Sequence, residues 1–299
     1  MSAPVHLAIG AFDGVHLGHR AVLRSAREAA RADGGEVAVL TYEPHPSRVL
    51  RPEAPVPLIF TRAQKDGRLA EAGAQRIRHE KFDRAHAGIE AAEFPRWLKR
   101  AFPHLRSLHV GANFRYGRGR AGNGETLVAQ GGAEGLDVRL VAAVRVGEET
   151  VSSSRIRQCL AEGDLALANA MLLRPYEAEG VIIGGRRLGR TLGFPTVNLA
   201  WEPELRPAYG VYAVEVVFHG EALPAVANYG LRPTVESGPV APLLEAHVLR
   251  GEAPTTGDAV RIRWLRRLRA EQKFADVEAL RTQIAKDAAQ ARQALGVLG

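Results

Sequence analysis

The sequence predicts an α/β domain built on a parallel sheet, followed by a second domain of antiparallel strands. In residues 5–150, short apolar or β-branched runs alternate with amphipathic helical segments, and after about residue 174 hairpin signals replace the helices. Strict alternation of strand and helix is typical of a parallel sheet covered on both faces, whereas consecutive hairpins indicate a barrel or a sandwich. At 299 residues, the chain is long enough for two such domains.

The first half contains five predicted strands and four predicted helical segments, each identified by its hydrophobic period. The strands are VHLAIG, EVAVLTYEP, AQRIRHE, RSLHVGANF and VRLVAAV. The helices or their ends are AVLRSAREAARADG, TRAQKDGRLAEAG, EAAEFPRWLKRAF and ETLVAQGGAEG. In a sheet of this kind we expect a ligand beyond the carboxyl ends of the strands.

The second half begins after one further predicted helix, residues 154–173, which closes a first domain of residues 1–173. In the second domain, residues 174–299, the predicted strands are GVIIGGRRLGR, YGVYAVEVVFHGEALPAVANYG, LLEAHVLRG and DAVRIRWLRRLR, with His219-Gly220 as a hairpin turn. A final helix is predicted over residues 275–295, because apolar side chains recur there at helical spacing. These side chains are Val277, Leu280, Ile284 and Ala288.

The composition, with 46% hydrophobic and 24% charged residues, is ordinary for a globular protein. No window reaches the roughly 18 apolar residues of a spanning helix, and no signal peptide is visible, so we expect a cytoplasmic protein without a membrane partner. The single Cys159 can form neither an internal disulfide nor a thiolate metal site. The net charge of +7 favours anionic partners. The densest basic run, residues 261–269, is interpreted as a solvated face rather than a nucleic-acid site.

The segment AIGAFDGVHLGHRAVL joins the first strand to the first helix through a glycine-bracketed turn. His16 and His19 share a helix face because they are three residues apart, and the free N–H groups of the first turn favour an anion. Gly18 between them leaves room for a bulky group near the backbone, so the arrangement suits phosphate. The spacing alone also allows a metal-binding histidine pair or a solvated helix start, although the further ligands of zincin motifs are missing.

Three further clusters follow predicted strands of the same sheet, where a ligand is expected. They are TYEPHP at 41–46, VGANFRYGRGRAGNGE at 110–125 and VSSSRIR at 151–157. They supply neutral or cationic donors, namely Asn113, Arg115, Ser153, Ser154 and Arg157.

Taken in order, FDGVHLGH, YEPHP, VGANFRYGRGRAGN and SSSRIR resemble the adenylyltransferase half of the bifunctional bacterial riboflavin kinase/FAD synthetases. That half is a Rossmann-like, doubly wound α/β nucleotidyltransferase marked by His-x-Gly-His. The resemblance implies transfer of AMP from ATP to the phosphate of FMN, with release of pyrophosphate. His16 and His19 would contact the ATP phosphates and stabilise charge at the α-phosphorus. The remaining nucleotide-binding residues would be Gly10, Phe12, Asp13, Gly14, Gly18, Asn113, Ser153, Ser154 and Arg157, where Ser154 replaces the usual threonine and keeps its hydroxyl.

This chemistry explains the absence of a carboxylate pair. A phosphate monoester has a second pKa near 6, so the attacking oxygen of FMN is already anionic at neutral pH. No general base is required. The protein has to supply alignment and neutralisation of charge around phosphorus, which histidine, arginine, asparagine and backbone N–H groups can do.

The segment GRRLGRTLGFPTVNL, residues 185–199, is the second strong signal. Alternate residues of an extended chain share a face, so Thr196 and Asn198 present oxygen atoms on one side. Hard oxygen ligands beside a glycine-rich turn suit a magnesium nucleotide, although the same pattern is also that of a plain turn.

With YGVYAV, NYGLRPTV and LEAHVL downstream, this segment resembles the riboflavin kinase module of the same family, a six-stranded β-barrel with a terminal helix. The resemblance implies that Glu245 is the catalytic base and that Thr196 and Asn198 hold Mg²⁺. The attacking hydroxyl of riboflavin has a high pKa, so a positioned carboxylate is worth roughly 10²- to 10⁴-fold in rate. Glu245 faces away from its neighbours Leu244 and Ala246, an orientation that a merely solvated carboxylate shares. The nucleotide-binding residues of this module would be Gly185, Gly189, Arg190, Gly193, Phe194 and Pro195.

This chain departs from the family pattern at three places in the kinase half. Gly184-Gly185-Arg186 stands where the family has His-Gly-Asp, Tyr229 and Leu231 stand in the segment where the family has Asn-Ile-Gly-Thr-Arg-Pro-Thr, and residues 250–258 contain no aromatic side chain.

We therefore predict a bifunctional enzyme that uses Mg-ATP and takes riboflavin and FMN as substrates. The alternatives are an FMN adenylyltransferase with an impaired kinase module, or a flavin- or nucleic-acid-binding regulator without catalysis. No nucleic-acid partner is expected, and oligomerisation is left open.

Overall fold

The computed structural model describes residues 3–185, 193–231 and 242–297. It divides into two compact units, Met1–Ser153 and Ser154–Gly299.

The first unit contains a five-stranded parallel sheet with strand order β3-β2-β1-β4-β5, which confirms the five predicted strands. The strands are β1 Val5–Ile9, β2 Glu36–Glu43, β3 Arg76–Lys81, β4 Leu105–Gly111 and β5 Asp137–Val141. Because β1 pairs with both β2 and β4, the strand order reverses beside β1. Ligands of open α/β sheets bind at such a point, outside the carboxyl ends of the strands.

Helices cover both faces of this sheet. They are α1 Leu17–Asp33, α2 Pro46–Leu50, α3 Arg62–Glu71, α4 Arg84–Ala87, α5 Phe94–Ala101 and α6 Gly124–Ala133, with 3₁₀ turns at Ala91–Glu93 and Arg118–Arg120. Residues of α1 and α3 pack with Ala8 and Val39 on one face, and residues of α5 pack with Leu7 and Leu40 on the other. A small hairpin of β6 Arg145–Val146 and β7 Glu149–Thr150 was not predicted, since two residues per strand are too few to show a period.

A buried polar chain crosses the first unit between α1, β1 and β4. His6 contacts Asp33 Oδ1 through Nε2 at 2.9 Å and Ser107 Oγ through Nδ1 at 2.7 Å. Ser107 Oγ in turn lies 2.7 Å from His109 Nε2, and Ser25 Oγ lies 2.8 Å from His109 Nδ1. Burial lowers the pKa of His109 to about 4, and the nearby Arg139 acts in the same direction.

The second unit begins with two helices, α7 Ser153–Glu162 and α8 Leu165–Leu172, where a single helix was predicted. Gly163 has a left-handed φ of 81°, and the Asp164 side chain accepts a hydrogen bond from Leu167 N at 3.1 Å. The first helix therefore ends at Gly163, in a backbone conformation that favours glycine, and the second begins at Asp164, whose side chain caps it.

Helix α8 is tied to the strands that follow it. The Asn169 side chain donates to Trp264 O and accepts from Tyr176 N, both at 2.8 Å. This attachment explains why α8 belongs to the second compact unit. The predicted division at residues 173 and 174, which assigns α7 and α8 to the first domain, stays a prediction.

The remaining strands form a closed antiparallel barrel with order β10-β11-β12-β9-β8-β13, which confirms the six-stranded barrel. They are β8 Tyr176–Ile183, β9 Val197–Ala200, β10 Gly210–Phe218, β11 Glu221–Leu231, β12 Pro242–Val248 and β13 Ala259–Arg269, followed by α9 Val277–Leu295. His219 and Gly220 both have positive φ, 48° and 85°, as a two-residue type I′ hairpin turn requires.

Aromatic side chains fill the barrel interior. Trp264 is fully buried and lies with its ring centre 4.7 Å from that of Tyr212 and 5.6 Å from that of Tyr229. Tyr229, one of the departures from the family pattern, is therefore a core residue.

The basic run of β13 is largely neutralised within the barrel unit. Arg263 pairs with Glu177 and Glu215, and Arg261 lies 3.2 Å from Glu179. Arg269 and Asp287 form a further pair at 2.7 Å. In the described part of the chain, no helix has the length and apolar character needed to cross a membrane.

Candidate active sites

The loop between β1 and α1 has a strained backbone at the carboxyl end of the sheet. Phe12, Gly14 and Val15 all have positive φ, of 52°, 86° and 39°, and this region is costly for phenylalanine and valine. Both of these side chains are buried, and Gly10 N donates to Leu40 O at 3.1 Å. Packing therefore holds the loop in a conformation that places His16 at the start of α1.

His16 and His19 lie together at the first turn of α1. His16 is the N-cap residue, and its Nδ1 accepts a hydrogen bond from His19 N at 3.3 Å. The two rings are stacked with their centres 3.6 Å apart, which confirms that they share a face. Because its Nδ1 is an acceptor, a neutral His16 ring carries its proton on Nε2 and can donate there to an anion.

The electrostatic state of His19 is set by its surroundings. Burial lowers the pKa of His19 well below its ordinary value of 6.5, and His16 and Lys65 act in the same direction. The ring is therefore neutral at physiological pH. Within the described part of the chain, its Nδ1 has no hydrogen-bond partner, so the imidazole keeps a polar atom available for a ligand.

Two predicted glycines serve the loop itself. A Cβ on Gly18 would lie 3.2 Å from Cε1 of His16, and one on Gly10 would lie 3.4 Å from the Phe12 ring. In the structure, the space beside Gly18 is therefore taken by the His16 ring.

Asp13 and Ser153 attach the loop to neighbouring segments. Asp13 is buried, and its Oδ1 accepts a hydrogen bond from Ile59 N at 3.0 Å. The Ser153 hydroxyl donates to Asp13 O at 2.8 Å. These contacts give both residues a structural task, and their contact with a nucleotide stays a prediction.

The other predicted residues of this site lie at two places. Asn113 and Arg115 are exposed just beyond β4, in a turn where Ala112 N donates to Val141 O at 2.9 Å. Ser154 and Arg157 lie on the first turns of α7, in the second compact unit.

Sequence reasoning missed Lys65 and Thr41. Thr41 is fully buried at the end of β2, where its hydroxyl donates to Ala11 O at 3.1 Å and accepts from Lys65 Nζ at 3.3 Å. Lys65 lies on α3, so its ammonium reaches the strained loop through this threonine. A lysine on an amphipathic helix is normally solvated, and no sequence signal marks this one.

An aromatic cluster also occupies the carboxyl end of the sheet. The Tyr42 ring centre lies 5.4 Å from those of Phe82 and His86, and His86 lies 4.9 Å from Trp97. This cluster offers aromatic ring surface beside the ends of β2 and β3.

In the barrel unit, strand pairing brings the predicted kinase residues together. Glu245 on β12 is directly opposite Asn198 on β9 and Asn228 on β11, and directly opposed side chains lie on one face of a sheet. Leu244 and Ala246 are buried, which confirms that Glu245 points the other way, to the outside of the barrel.

Asn198 is suited to hold a hard cation. Its side chain is buried, and its Oδ1 has no hydrogen-bond partner among the residues that the structure describes, so a carbonyl oxygen of the kind that Mg²⁺ prefers is available. Thr196, two residues earlier, is exposed. A Cβ on Gly185 would overlap Asn198 Nδ2, so glycine at 185 allows the backbone to approach this asparagine. Gly189 and Arg190 lie outside the described residues.

His247, which sequence reasoning also missed, attaches the Gly-Phe-Pro-Thr loop to β12. Its Nδ1–H donates to Pro195 O at 2.8 Å, and its ring meets that of Phe194 edge to face at 5.5 Å. Gly193 opens the loop with a φ of 85°. The loop is thus fixed to the strand that carries Glu245.

Comparison with known proteins agrees with this division into two sites. A family model described as FAD synthetase matches residues 2–155, and one described as riboflavin kinase matches residues 172–295. The bifunctional riboflavin kinase/FMN adenylyltransferase of Escherichia coli (strain K12) is 38% identical over 293 residues, covering 97% of this chain and 93% of that protein. The protein of the same name from Bacillus subtilis (strain 168) is 34% identical over 285 residues, covering 94% and 89%.

A solved structure agrees over nearly the whole chain as well. The crystal structure of a protein from Streptococcus pneumoniae, described as a macrolide-efflux protein, has a TM-score of 0.88 and 28% sequence identity. The match covers 97% of this chain and 94% of that chain.

Proposed function

The chain belongs to the family of bifunctional riboflavin kinase/FMN adenylyltransferases, so it is an enzyme of flavin cofactor biosynthesis, and we propose how its residues divide the two reactions. The predicted first domain transfers AMP from ATP to FMN, and the predicted barrel domain phosphorylates riboflavin with ATP. The proposal keeps the predicted domains, residues 1–173 and 174–299.

In the adenylyltransferase reaction, an anionic phosphate oxygen of FMN attacks the α-phosphorus of ATP. The bond to the bridging oxygen of the β-phosphate breaks, and pyrophosphate leaves with the electron pair. His16 and His19 donate hydrogen bonds to the phosphates at the N-terminus of α1, supported by the positive end of the helix dipole. Asn113, Ser154 and Arg157 hold the nucleotide and pyrophosphate. No residue needs to remove a proton, since the attacking group is already anionic at neutral pH.

In the kinase reaction, Glu245 removes the proton from the attacking hydroxyl of riboflavin as that oxygen bonds to the γ-phosphorus of ATP. The bond between the γ-phosphorus and the bridging oxygen breaks, and ADP leaves. Thr196 and Asn198 would hold Mg²⁺, which when bound neutralises charge on the ATP phosphates. The observation that carries this assignment is the register of β12 with β9, which puts the carboxylate of Glu245 beside an asparagine with an available oxygen.

A second candidate function, adenylyl transfer with a weakened kinase, is favoured by the β12–β13 connection. Residues 250–258 lack the aromatic side chains of the family pattern, and the loop is tied to itself: Asp258 Oδ2 accepts from Thr255 N at 2.7 Å and from Thr255 Oγ1 at 3.0 Å. A loop closed in this way offers little surface for a flavin ring.

Small anionic substrates, rather than nucleic acid, account for the basic composition. The arginines of β13 are paired with glutamates of the same barrel, so the densest basic run does not form an uncompensated positive patch. A cytoplasmic location is part of the proposal.

The experiment that tests the proposal incubates the purified chain with Mg-ATP and either riboflavin or FMN, followed by chromatography of the three flavins. FMN and FAD from riboflavin, together with FAD from FMN, are the expected products. FAD from FMN without FMN from riboflavin would establish the second candidate. Absence of product in both reactions would refute the proposal and favour a regulator, for which binding to duplex DNA should fall steeply with salt.

A further inference from the structure

Lys65 is a cation at the first site to which the proposed mechanism gives no role. It lies on the fourth position of α3, and its ammonium is half-buried beside the carboxyl end of β2. Among the described residues, its hydrogen bond is to Thr41 Oγ1 at 3.3 Å, and Thr41 in turn donates to Ala11 O in the loop that precedes His16. The ammonium is therefore attached to the site by neutral oxygen atoms.

Two contacts fix the chain segment that precedes Lys65. Asp13 accepts a hydrogen bond from Ile59 N, which fixes the chain before α3 to the same strained loop. Thr61 then starts the helix with a capping box, in which its side chain accepts from Gln64 N at 3.2 Å. The segment that leads into Lys65 is therefore attached to the loop that carries Asp13.

Lys65 makes no direct ion pair with a described residue, although three carboxylates act on its ammonium over a longer distance. Burial lowers the pKa of its ammonium below the ordinary value of 10.5, although Glu43, Asp66 and Asp13 act in the opposite direction. Of these three, Asp66 pairs with His79 and Arg62, and Asp13 is engaged with Ile59 N. A half-buried ammonium without a direct ion pair has a cost in desolvation that an incoming phosphate would offset.

The strand order indicates which substrate carries the phosphate that would approach Lys65. Asn113 follows β4, which lies on one side of β1, whereas Thr41 ends β2 on the other side and contacts Lys65. The proposed function places ATP with Asn113, so the β2 side is left for the acceptor, which must approach the α-phosphorus opposite the departing pyrophosphate.

We infer that Lys65 binds the phosphate monoester of the acceptor FMN at the first site. The inference rests on the proposed adenylyltransferase function. It assigns to Asp13 and Thr41 the role of positioning residues, which act through Lys65.

Steady-state kinetics of Lys65→Met, which keeps an apolar stem, and Lys65→Arg, which keeps the charge, test the inference. For Lys65→Met, the KM for FMN should rise roughly 10- to 100-fold, the range expected for loss of a charged hydrogen bond. The KM for ATP and the kinase activity should stay within twofold of the wild-type values, and Lys65→Arg should recover part of the affinity. Lys99→Ala is the matched control, because Lys99 lies on the other face of the sheet and pairs with Glu134.

The pH dependence of the KM for FMN is a second measurement, and it would not change if Lys65 had only a structural role. In the wild type, the KM for FMN should rise at a pH below the ordinary lysine pKa, and in Lys65→Arg this rise should disappear because arginine stays charged. An unchanged KM for FMN in Lys65→Met would overturn the inference, as would a rise confined to ATP. Because the kinase site belongs to the other compact unit, an unchanged KM for ATP in FAD synthesis is the observation that shows the first unit to be folded in the variant. Wild-type protein that makes no FAD would instead refute the proposed function.

Discussion

Gly185, which the family resemblance assigns to nucleotide binding, also tests the proposed magnesium site of the kinase, because its backbone lies against Asn198. A Cβ at position 185 would overlap Asn198 Nδ2 and lie 2.9 Å from its Cγ, where ordinary contact begins at 3.4 Å. In Gly185→Ala, either the asparagine or the backbone must therefore move by about 1 Å. A misplacement of this size can cost roughly 10²-fold in rate when it affects reacting groups, and overpacking typically costs about 1–3 kcal/mol of stability.

The neighbouring Gly184 provides a matched control, since a Cβ there would meet no atom of the described residues within 4 Å. We expect Gly185→Ala to lower kcat/KM for riboflavin phosphorylation by about 100-fold, while FMN adenylylation by the same preparation keeps its wild-type rate. Gly184→Ala should retain both activities. The measurement is chromatographic separation of the flavins, with thermal unfolding as the check on folding. A Gly185→Ala kinase as fast as the wild type would refute the assignment of Asn198.

Three further changes test the two sites and the polar chain of the first unit. His19→Ala should lower FAD formation from FMN by at least about 100-fold and spare the kinase; loss of both activities in a folded variant would show that the sites are not separate. Glu245→Gln should lower FMN formation by roughly 10²- to 10⁴-fold with FAD formation intact, and an unchanged kinase rate would mean that another group is the base. The folded-state pKa of His109 lies below its unfolded value. Its contribution to the free energy of unfolding is therefore present above pH 6.5 and is lost as the pH falls from 6.5 to about 4. Urea unfolding should therefore show about 3 kcal/mol less stability at pH 4 from this group, and His109→Gln should flatten that part of the profile; the same pH slope in the variant would contradict the assignment.

Periodicity in the sequence was sufficient for most elements of the fold. Alternating strands and helices up to residue 150 and hairpins after it predicted both sheets, because burial imposes a period of two on strands and 3.6 on helices. The prediction of one helix over residues 154–173 was wrong: the apolar spacing continues through Gly163, and only the backbone conformation there shows that α7 ends and α8 begins.

Closure of the barrel explains one departure from the family pattern. In the sequence, Tyr229 departs from the family pattern beside Gly230. In the structure, its ring lies among Trp201, Tyr209 and Trp264 in the barrel interior. Side-chain direction on a strand depends on register, and register depends on the partner strands.

By itself, the sequence determined which residue types could carry the chemistry: a histidine pair at a helix start, oxygen ligands beside a glycine-rich turn, and motifs in the order of a known family. Each of these signals lies within a short stretch of the chain, so it can be identified from the sequence alone. Only the tertiary structure decided which residues are the neighbours of these motifs. Asn198 and Glu245 belong to different motifs, and hydrogen bonding between β9 and β12 makes them neighbours. Lys65 reaches the first site because Asp13 and Thr41 join three separate segments there, and contacts between residues far apart in the chain leave no periodic trace in the sequence.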